Sequence, residues 1–452
     1  MNAFQKLLSL GEEQKRRRGV LHTASEIAQQ PRMWRKTVEL VIERGPELGD
    51  FLRQAGVIPR GEAGASAPAT VILSGAGSSE YVGRAAAPWL RRELAAEVRV
   101  CPSTDLVTHP RENLAARRRC LVVHFARSGN SPESEAAFDL TARLAPQSHH
   151  LCITCNANGR LAEKAREAER AFCLLLPEET NDRSLVMTSS FSSMVVAAVG
   201  LPCVCRSGGA AGGSDPAGTG AAPGPGAGEP GRDARAFRAQ TDAVAAAADR
   251  ILGRHADDLQ AVAARDFGRA IYLGSGSLHG IMQECRLKML EMTEARVAAD
   301  VNTYLGLRHG PQVFVNGDCL VVAALAADPY VRGYEIDLLR ELREKKQGGF
   351  YLVVCDRADD TVGALADLCV EVFPQEKPAA RAAAETADGA GGRADGALEP
   401  ADALRGLADL VVGQLLATYK CLELGLQPDN PSTSGTISRV VQGVRIQPFP
   451  SA

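Results

Sequence analysis

The 452-residue chain has no run approaching the roughly 20 uninterrupted apolar residues that a membrane-spanning helix needs. The nearest stretch, Ser193–Cys205 (SMVVAAVGLPCVC), reads as a buried helix end. The first twenty residues carry charge and lack the apolar segment of a secretion signal. Net charge is also small, at −3, which removes any general attraction to nucleic acid or anionic membrane. The basic run Lys15–Arg18 reads as the solvated face of a helix. A disulfide framework is missing too: most of the twelve cysteines fall inside apolar stretches (Cys120, Cys319, Cys355, Cys369, Cys421), where Cys acts as a small hydrophobe. Cys152-Ile-Thr-Cys155 has metal-ligand spacing, but no second CxxC and no HxxxH accompany it. Its neighbours are apolar, so a core strand is expected and no metal. These absences point to a cytoplasmic protein with no membrane or nucleic-acid partner.

What is present is a duplication. A short apolar strand runs into a glycine–serine turn at Val71–Ser79 (VILSGAGSS) and again at Ile271–Ser277 (IYLGSGS). Gly75 and Gly274 stand 199 apart (274 − 75), as do Cys120-Leu-Val-Val and Cys319-Leu-Val-Val (319 − 120). A third apolar run follows in each half, Leu151–Cys155 and Tyr351–Cys355. The pattern predicts an α/β protein of two units, each with a parallel sheet between helices. Ligands in such sheets bind at the carboxyl ends of strands, where these turns lie. The expected division is a helical segment 1–65, a first unit 66–206, a Gly/Ala/Pro-rich linker 207–233 and a second unit 234–376. An Ala/Gly-rich insertion 377–401 and a C-terminal segment 402–452 complete it, the latter an amphipathic helix from Asp402 and a tail that ends strand-like. The two biased segments cannot bury enough apolar surface to order themselves.

Neither glycine turn completes the dinucleotide pattern GxGxxG, because Glu80 and His279 stand at the third glycine position. Hydroxyls flank the glycines instead: Ser78 and Ser79 in the first copy, Ser275 and Ser277 in the second. Serine hydroxyls with backbone N–H groups at a helix start can cradle a phosphate. The next strand of the first unit ends in Arg127-Ser128-Gly129-Asn130-Ser131, a second Ser/Gly turn with an arginine that could fork a phosphate. The matching place in the second unit, Ala323–Asp328, has no hydroxyl cluster, so only the first unit looks equipped for phosphate. Ordinary βα loops with capping serines are the competing account.

Glu284, Lys288 and Glu291 follow the second glycine turn at i, i+4 and i+7 and share one helical face. Such a face is either a solvated salt-bridge ladder or, at the binding edge, a set of acid–base groups. Further on, His309 precedes a Gly-Pro turn. Carboxylates near a lysine and a histidine suit aldose–ketose chemistry, where one group opens the ring and a base carries a proton between C2 and C1.

The runs SGAGSSEYVG, HFARSGNSPES and NDRSLVMTSSFSSM resemble the phosphosugar-binding SIS (sugar isomerase) domain. LGSGSLHGIMQECRLKMLEMTEARV, LGLRHGP and DNPSTSGTISRVVQGV resemble its second copy and tail, and His22–Pro31 resembles the leader of one subfamily. That subfamily is the AgaS-type tagatose-6-phosphate aldose/ketose isomerases, regarded as galactosamine-6-phosphate deaminases. The resemblance implies two tandem SIS domains, each a flavodoxin-like three-layer sandwich. By the further resemblance to the isomerase half of glutamine–fructose-6-phosphate aminotransferase, Ser79, Ser128 and Ser131 fall on phosphate-binding positions, with Ser78 and Arg127 beside them. Thr188 and Ser189 fall near further substrate contacts, Glu284 and Lys288 around the sugar, and Glu291 on the C1/C2 base. His309 falls on the ring-opening histidine, which the relative donates from a neighbouring subunit, so a homodimer or higher oligomer is implied. Gln442 stands where the aminotransferase has its Schiff-base lysine, and no glutaminase domain is present. Both departures fit deamination or plain isomerisation without a cofactor. A non-catalytic phosphosugar-binding regulator is the remaining alternative, although no helix-turn-helix is apparent in residues 1–65.

Overall fold

A computed structural model of the chain describes residues 1–60, 69–114, 119–207, 231–374, 401–441 and 443–450. Nearly all of the expected linker, all but the last residue of the insertion and Gln442 lie outside the described residues. Two five-stranded sheets carry the fold. The first comprises β1 (Thr70–Ser74), β2 (Glu97–Val100), β3 (Cys120–Ala126), β4 (His149–Thr154) and β5 (Ala171–Leu175), in the order β2-β1-β3-β4-β5. The second comprises β6 (Arg269–Leu273), β7 (Ala298–Asn302), β8 (Cys319–Ala324), β9 (Phe350–Cys355) and β10 (Leu368–Glu371). Its order, β10-β9-β8-β6-β7, is the same arrangement read from the other edge. Every strand pair is parallel, and 2-1-3-4-5 is the flavodoxin-like order. The central strands β3 and β8 are buried along their whole length, as their unbroken apolar sequences require when helices cover both faces.

Each glycine turn opens a helix, Ser78–Glu93 in the first unit and Ser277–Met292 in the second. Gly77 (φ 57°) and Gly276 (φ 55°) take the same backbone conformation, one that side chains rarely adopt. The two helices then pack on each other across the units. At the crossing a Cβ on Gly280 would lie 2.4 Å from the Ala85 backbone nitrogen, so the contact is backbone against backbone. This close approach brings the start of the first helix beside the middle of the second.

Two helices fill the centre. In Ser189–Val199 every residue is buried, and it breaks at Gly200 before Leu201–Ser207. The stretch Ser189–Arg206 is apolar enough to cross a membrane by composition, but 94% of it is buried inside the protein. The helix Asp402–Glu423 corrects an expectation. It is not amphipathic: residues 403–421 are all buried, because it runs between the two units and has no solvent face. The tail beyond Asp429 is also not a strand, since no sheet edge receives it among the described residues. Cys152 and Cys155 are buried among apolar side chains, and Lys15–Arg18 lies on a helix with no buried residue.

Candidate active site

β1 and β3 are neighbours whose following helices pass to opposite faces, so a crevice opens between their ends. Ser78 and Ser79 begin the helix after β1 and are both buried. Across the crevice stands the 127–131 loop. Asn156 holds it by donating to the Ser128 carbonyl (2.8 Å), and Asn130 Oδ1 accepts from the Arg160 N–H (3.0 Å). Ser131 caps the helix Pro132–Leu144 and pairs with Ser134 Oγ at 2.6 Å, so here the capping account of a serine holds as well. No acceptor among the described residues meets the backbone N–H groups of Arg127, Ser128 and Gly129. Three successive N–H groups of this kind make a candidate anion cradle, and the Ser128 hydroxyl of the same turn accepts from the Asn130 N–H (3.3 Å).

Arg127 requires a correction. Its guanidinium does not fork toward the crevice. Nη1 donates to the carbonyls of Ser184 and Leu185 (both 3.0 Å), and Nη2 to that of Arg439 (2.7 Å). The side chain therefore braces the 182–188 loop and the tail, and what Arg127 offers a phosphate is its backbone N–H.

The Glu284–Lys288–Glu291 face is not a solvated ladder. Glu284 and Lys288 side chains are fully buried, and Glu291 keeps 22% exposure at the mouth. Lys288 Nζ lies 3.2 Å from Glu284 Oε1 and 2.5 Å from Glu291 Oε2. Ser78 bridges the units: its hydroxyl donates to Glu284 Oε1 (3.0 Å) and accepts from Lys288 Nζ (3.2 Å). Burial pushes the Glu284 carboxyl up to about 7 despite Lys288 beside it. Burial disfavours the Lys288 cation, yet the two carboxylates outweigh it and raise its pKa. Ser78, in the first glycine turn of one unit, thus meets the buried Glu284 and Lys288 of the other.

Thr188 and Ser189 belong to a neighbouring network rather than to the cradle itself. Asp182 accepts from the N–H groups of Thr188 and Ser190 (both 2.8 Å) and from the hydroxyls of Ser189 (2.5 Å) and Ser190 (2.6 Å). Ser189 Oγ also accepts from Gln29 (2.9 Å), while the Thr188 hydroxyl is buried without a partner among the described residues. His309 is exposed beyond the short helix Tyr304–Leu307, and no hydrogen bond joins its imidazole to the Ser78–Lys288 cluster within the described chain.

Sequence reasoning missed Glu26, Asp182 and Arg439. Glu26 accepts from the N–H groups of Arg183 (2.6 Å) and Ser184 (3.3 Å) and from the Ser184 hydroxyl. Arg439 donates to the Asp182 carbonyl (2.8 Å) and Asn181 Oδ1 (2.7 Å). Leader, loop and tail are therefore tied together behind the cradle. Asp182 sits seven residues ahead of the apolar Ser189–Val199 helix, a faint capping signal, whereas nothing local marked Glu26.

Burial, with the Asp182 charge beside it, raises Glu26 to about 7. A carboxyl raised in this way holds its proton more tightly in the folded chain. Its stabilising contribution is full below the ordinary value of 4.5 and is lost as pH climbs through about 7. Glu26→Gln removes that dependence. The melting temperature is expected to fall less steeply between about pH 5 and about pH 8 in the variant than in the parent, as differential scanning fluorimetry would show; parallel curves would refute this.

Among the described residues no group of three His, Cys, Asp or Glu side chains is arranged to hold a metal. What these groups can do chemically is receive an anion at the 127–129 turn and move protons at the Lys288–Glu291 pair.

No family model matches the chain. It is 33% identical over 429 residues to the D-galactosamine-6-phosphate deaminase AgaS of Escherichia coli, covering 94% of this chain and 96% of that protein. The same-named protein of Shewanella sp. strain ANA-3 is 30% identical over 448 residues, covering 98% and 96%. Among solved structures, the tagatose-6-phosphate ketose/aldose isomerase of Escherichia coli aligns with a TM-score of 0.75 at 29% identity, covering 95% of this chain and 97% of that one. The C-terminal domain of the glucosamine-fructose-6-phosphate aminotransferase of Francisella tularensis shares the fold, with a TM-score of 0.66 at 15% identity over 90% of this chain and 98% of that domain.

Proposed function

The chain belongs to the AgaS family of galactosamine-6-phosphate deaminases, and from that premise we propose that it converts galactosamine 6-phosphate to tagatose 6-phosphate and ammonium. The observation that carries this reading is the Ser78 bridge, which ties the first glycine turn of one unit to the buried Glu284 and Lys288 of the other, with Glu291 paired to Lys288. The 6-phosphate binds between Ser79 and Ser128 on the free N–H groups of the 127–129 turn. His309 assists ring opening. Glu291 removes the C2 proton of the open-chain aldehyde, giving an enolamine, and a proton returned to C1 leaves an imine at C2. Water adds to that imine and ammonia departs, leaving the ketose. Lys288 holds the Glu291 carboxylate in place, and the substrate's own aldehyde acidifies the C2–H. The enzyme acts in the cytoplasm on this reading.

The test is to supply galactosamine 6-phosphate and follow ammonium and ketose together, which should appear in equal amounts. Ketose formed only from neutral sugar phosphates, without ammonium, would favour plain isomerisation, the activity in the name of the Escherichia coli structural relative. Tight binding without turnover of either kind would mark a regulator.

The proposal includes a dimer that shares His309. Support comes from its surroundings, where Leu305 (46% exposed) and Val313 (85%) leave an apolar border around an exposed histidine. Glu291→Gln and His309→Ala chains should each be inactive alone. Unfolded and refolded together in equal amounts, they are expected to recover about one quarter of the parent activity, because half the molecules are hybrids and each hybrid rebuilds one of two sites. No recovery would place His309 in its own chain's site.

A further inference from the structure

The two sheets match in register as well as in order. Thr70 pairs with Cys120 and Ser74 with His124 in the first, Arg269 with Cys319 and Leu273 with Ala323 in the second. Each partner is displaced by the same 199 (269 − 70 and 319 − 120). Three residues past this pairing, Arg127 in the first unit is therefore equivalent to Ala326 in the second. The Arg127 N–H has no acceptor among the described residues. The Ala326 N–H has one: it donates to Glu335 Oε2 at 2.7 Å.

Glu335 reaches this position from the helix Pro329–Glu344 and is 1% exposed. Its carboxyl lies beside Ser275 of the second glycine turn, close enough for that hydroxyl to favour the charged form, although Oε1 has no geometric hydrogen-bond partner among the described residues. Burial outweighs these contacts and raises the Glu335 carboxyl above its ordinary value, while Ser275, the Ala326 N–H and Arg405 act to lower it. Arg405 is itself buried, donates to the Leu325 carbonyl and pairs with Asp409. At the start of the helix, the Asp328 carboxylate accepts from the N–H groups of Tyr330 (2.8 Å) and Val331 (3.3 Å), where the first unit has the neutral Ser131 cap. So the N–H that is open at this switch point in the first unit, that of Arg127, is met in the second by a carboxylate of the chain itself.

We propose that Glu335 is a built-in substitute for a phosphate. It occupies the anion position of the second unit, so each chain takes one phosphorylated ligand, in the first unit, and its removal opens a second phosphate-class site between Ser275 and Ala326. The sequence asymmetry between the two turns then has a structural meaning: the second unit kept the cradle and closed it with its own acid.

The test compares the full-length parent with an Asp328→Ser, Glu335→Ala double variant, which vacates the position and restores a neutral cap. Equilibrium dialysis with radiolabelled inorganic phosphate should give one phosphate per parent chain and two per variant chain. A folded variant that binds no more phosphate than the parent overturns the proposal. The difference between the proteins decides it, so a parent that bound none would count against the functional reading of the first unit and leave this comparison intact. Should the variant not fold, parent crystals soaked in phosphate carry the test. The Glu335 carboxylate should stay on the Ala326 N–H, and an anion found there instead, with Glu335 displaced, overturns the idea.

Discussion

Glu291→Gln is expected to lower kcat for ammonium release by about a thousandfold, the middle of the range for loss of a general base, with KM and melting temperature nearly unchanged. The asymmetry follows from where the residue sits. Glu291 lies at the mouth, 22% exposed, and when it is neutralised the buried Lys288 keeps Glu284 as its second carboxylate partner. Glutamine has the same shape and keeps an oxygen to accept from Lys288. What it loses is the ability to take a proton from carbon, and that loss falls on the chemical step alone. Exchange of the C2 hydrogen with deuterated solvent should disappear in parallel. Turnover near the parent level would remove Glu291 from the base role and with it the proposed mechanism.

The second large effect is on folding. Lys288→Met removes a fully buried cation that lies between Glu284 and Glu291 and also donates to Ser78. Breaking one side of a buried ion pair costs about 3–5 kcal/mol, because the remaining charge is left without compensation. Glu284 is already raised to about 7 by burial with the lysine present. Without it the carboxyl goes higher still, and its proton is held more firmly in the folded chain. The sign is then fixed: the variant should be closest to the parent below the ordinary carboxyl value of 4.5 and fall behind it as pH rises. Adding Glu284→Gln should recover much of the loss, since the stranded charge is gone. Melting curves of parent, single and double variants at about pH 5 and about pH 8 supply the measurement. Equal destabilisation at both pH values, or no recovery in the double variant, would show that Lys288 acts through packing alone.

The family relationship and the pair of predictions rest on different kinds of information. The relatives show what sort of protein this is over nearly its whole length. The site geometry shows how its own side chains are placed to act, and the variants above test that placement independently of any name.

Much of this was legible in the chain itself. Strand identity and parallel pairing followed from unbroken apolar runs such as CLVVHFA, because a parallel sheet buried on both faces tolerates little else. The 199-residue repeat gave two units, and the glycines at 77 and 276 marked the turns because their positive φ excludes ordinary residues. Helical spacing placed Glu284, Lys288 and Glu291 on one face. Spacing could not tell whether that face met water or protein. The answer depends on Gly280, which lets a helix 200 residues earlier in sequence approach and deliver Ser78.

Other features had no local signature at all. Arg127 looked like a phosphate fork, and its real partners, the carbonyls of 184, 185 and 439, come from segments that only folding brings to it. Glu26 and Glu335 are ordinary helix glutamates until the chain closes around them and removes water. By itself, then, the sequence determined the elements, their repetition and the kinds of side chain at the strand ends, since these depend on local conformation and on the periodicity of apolar residues. Tertiary structure alone decided which charges are buried and which donors stay open. Those outcomes arise from desolvation and from contacts between residues distant along the chain, which no local pattern records.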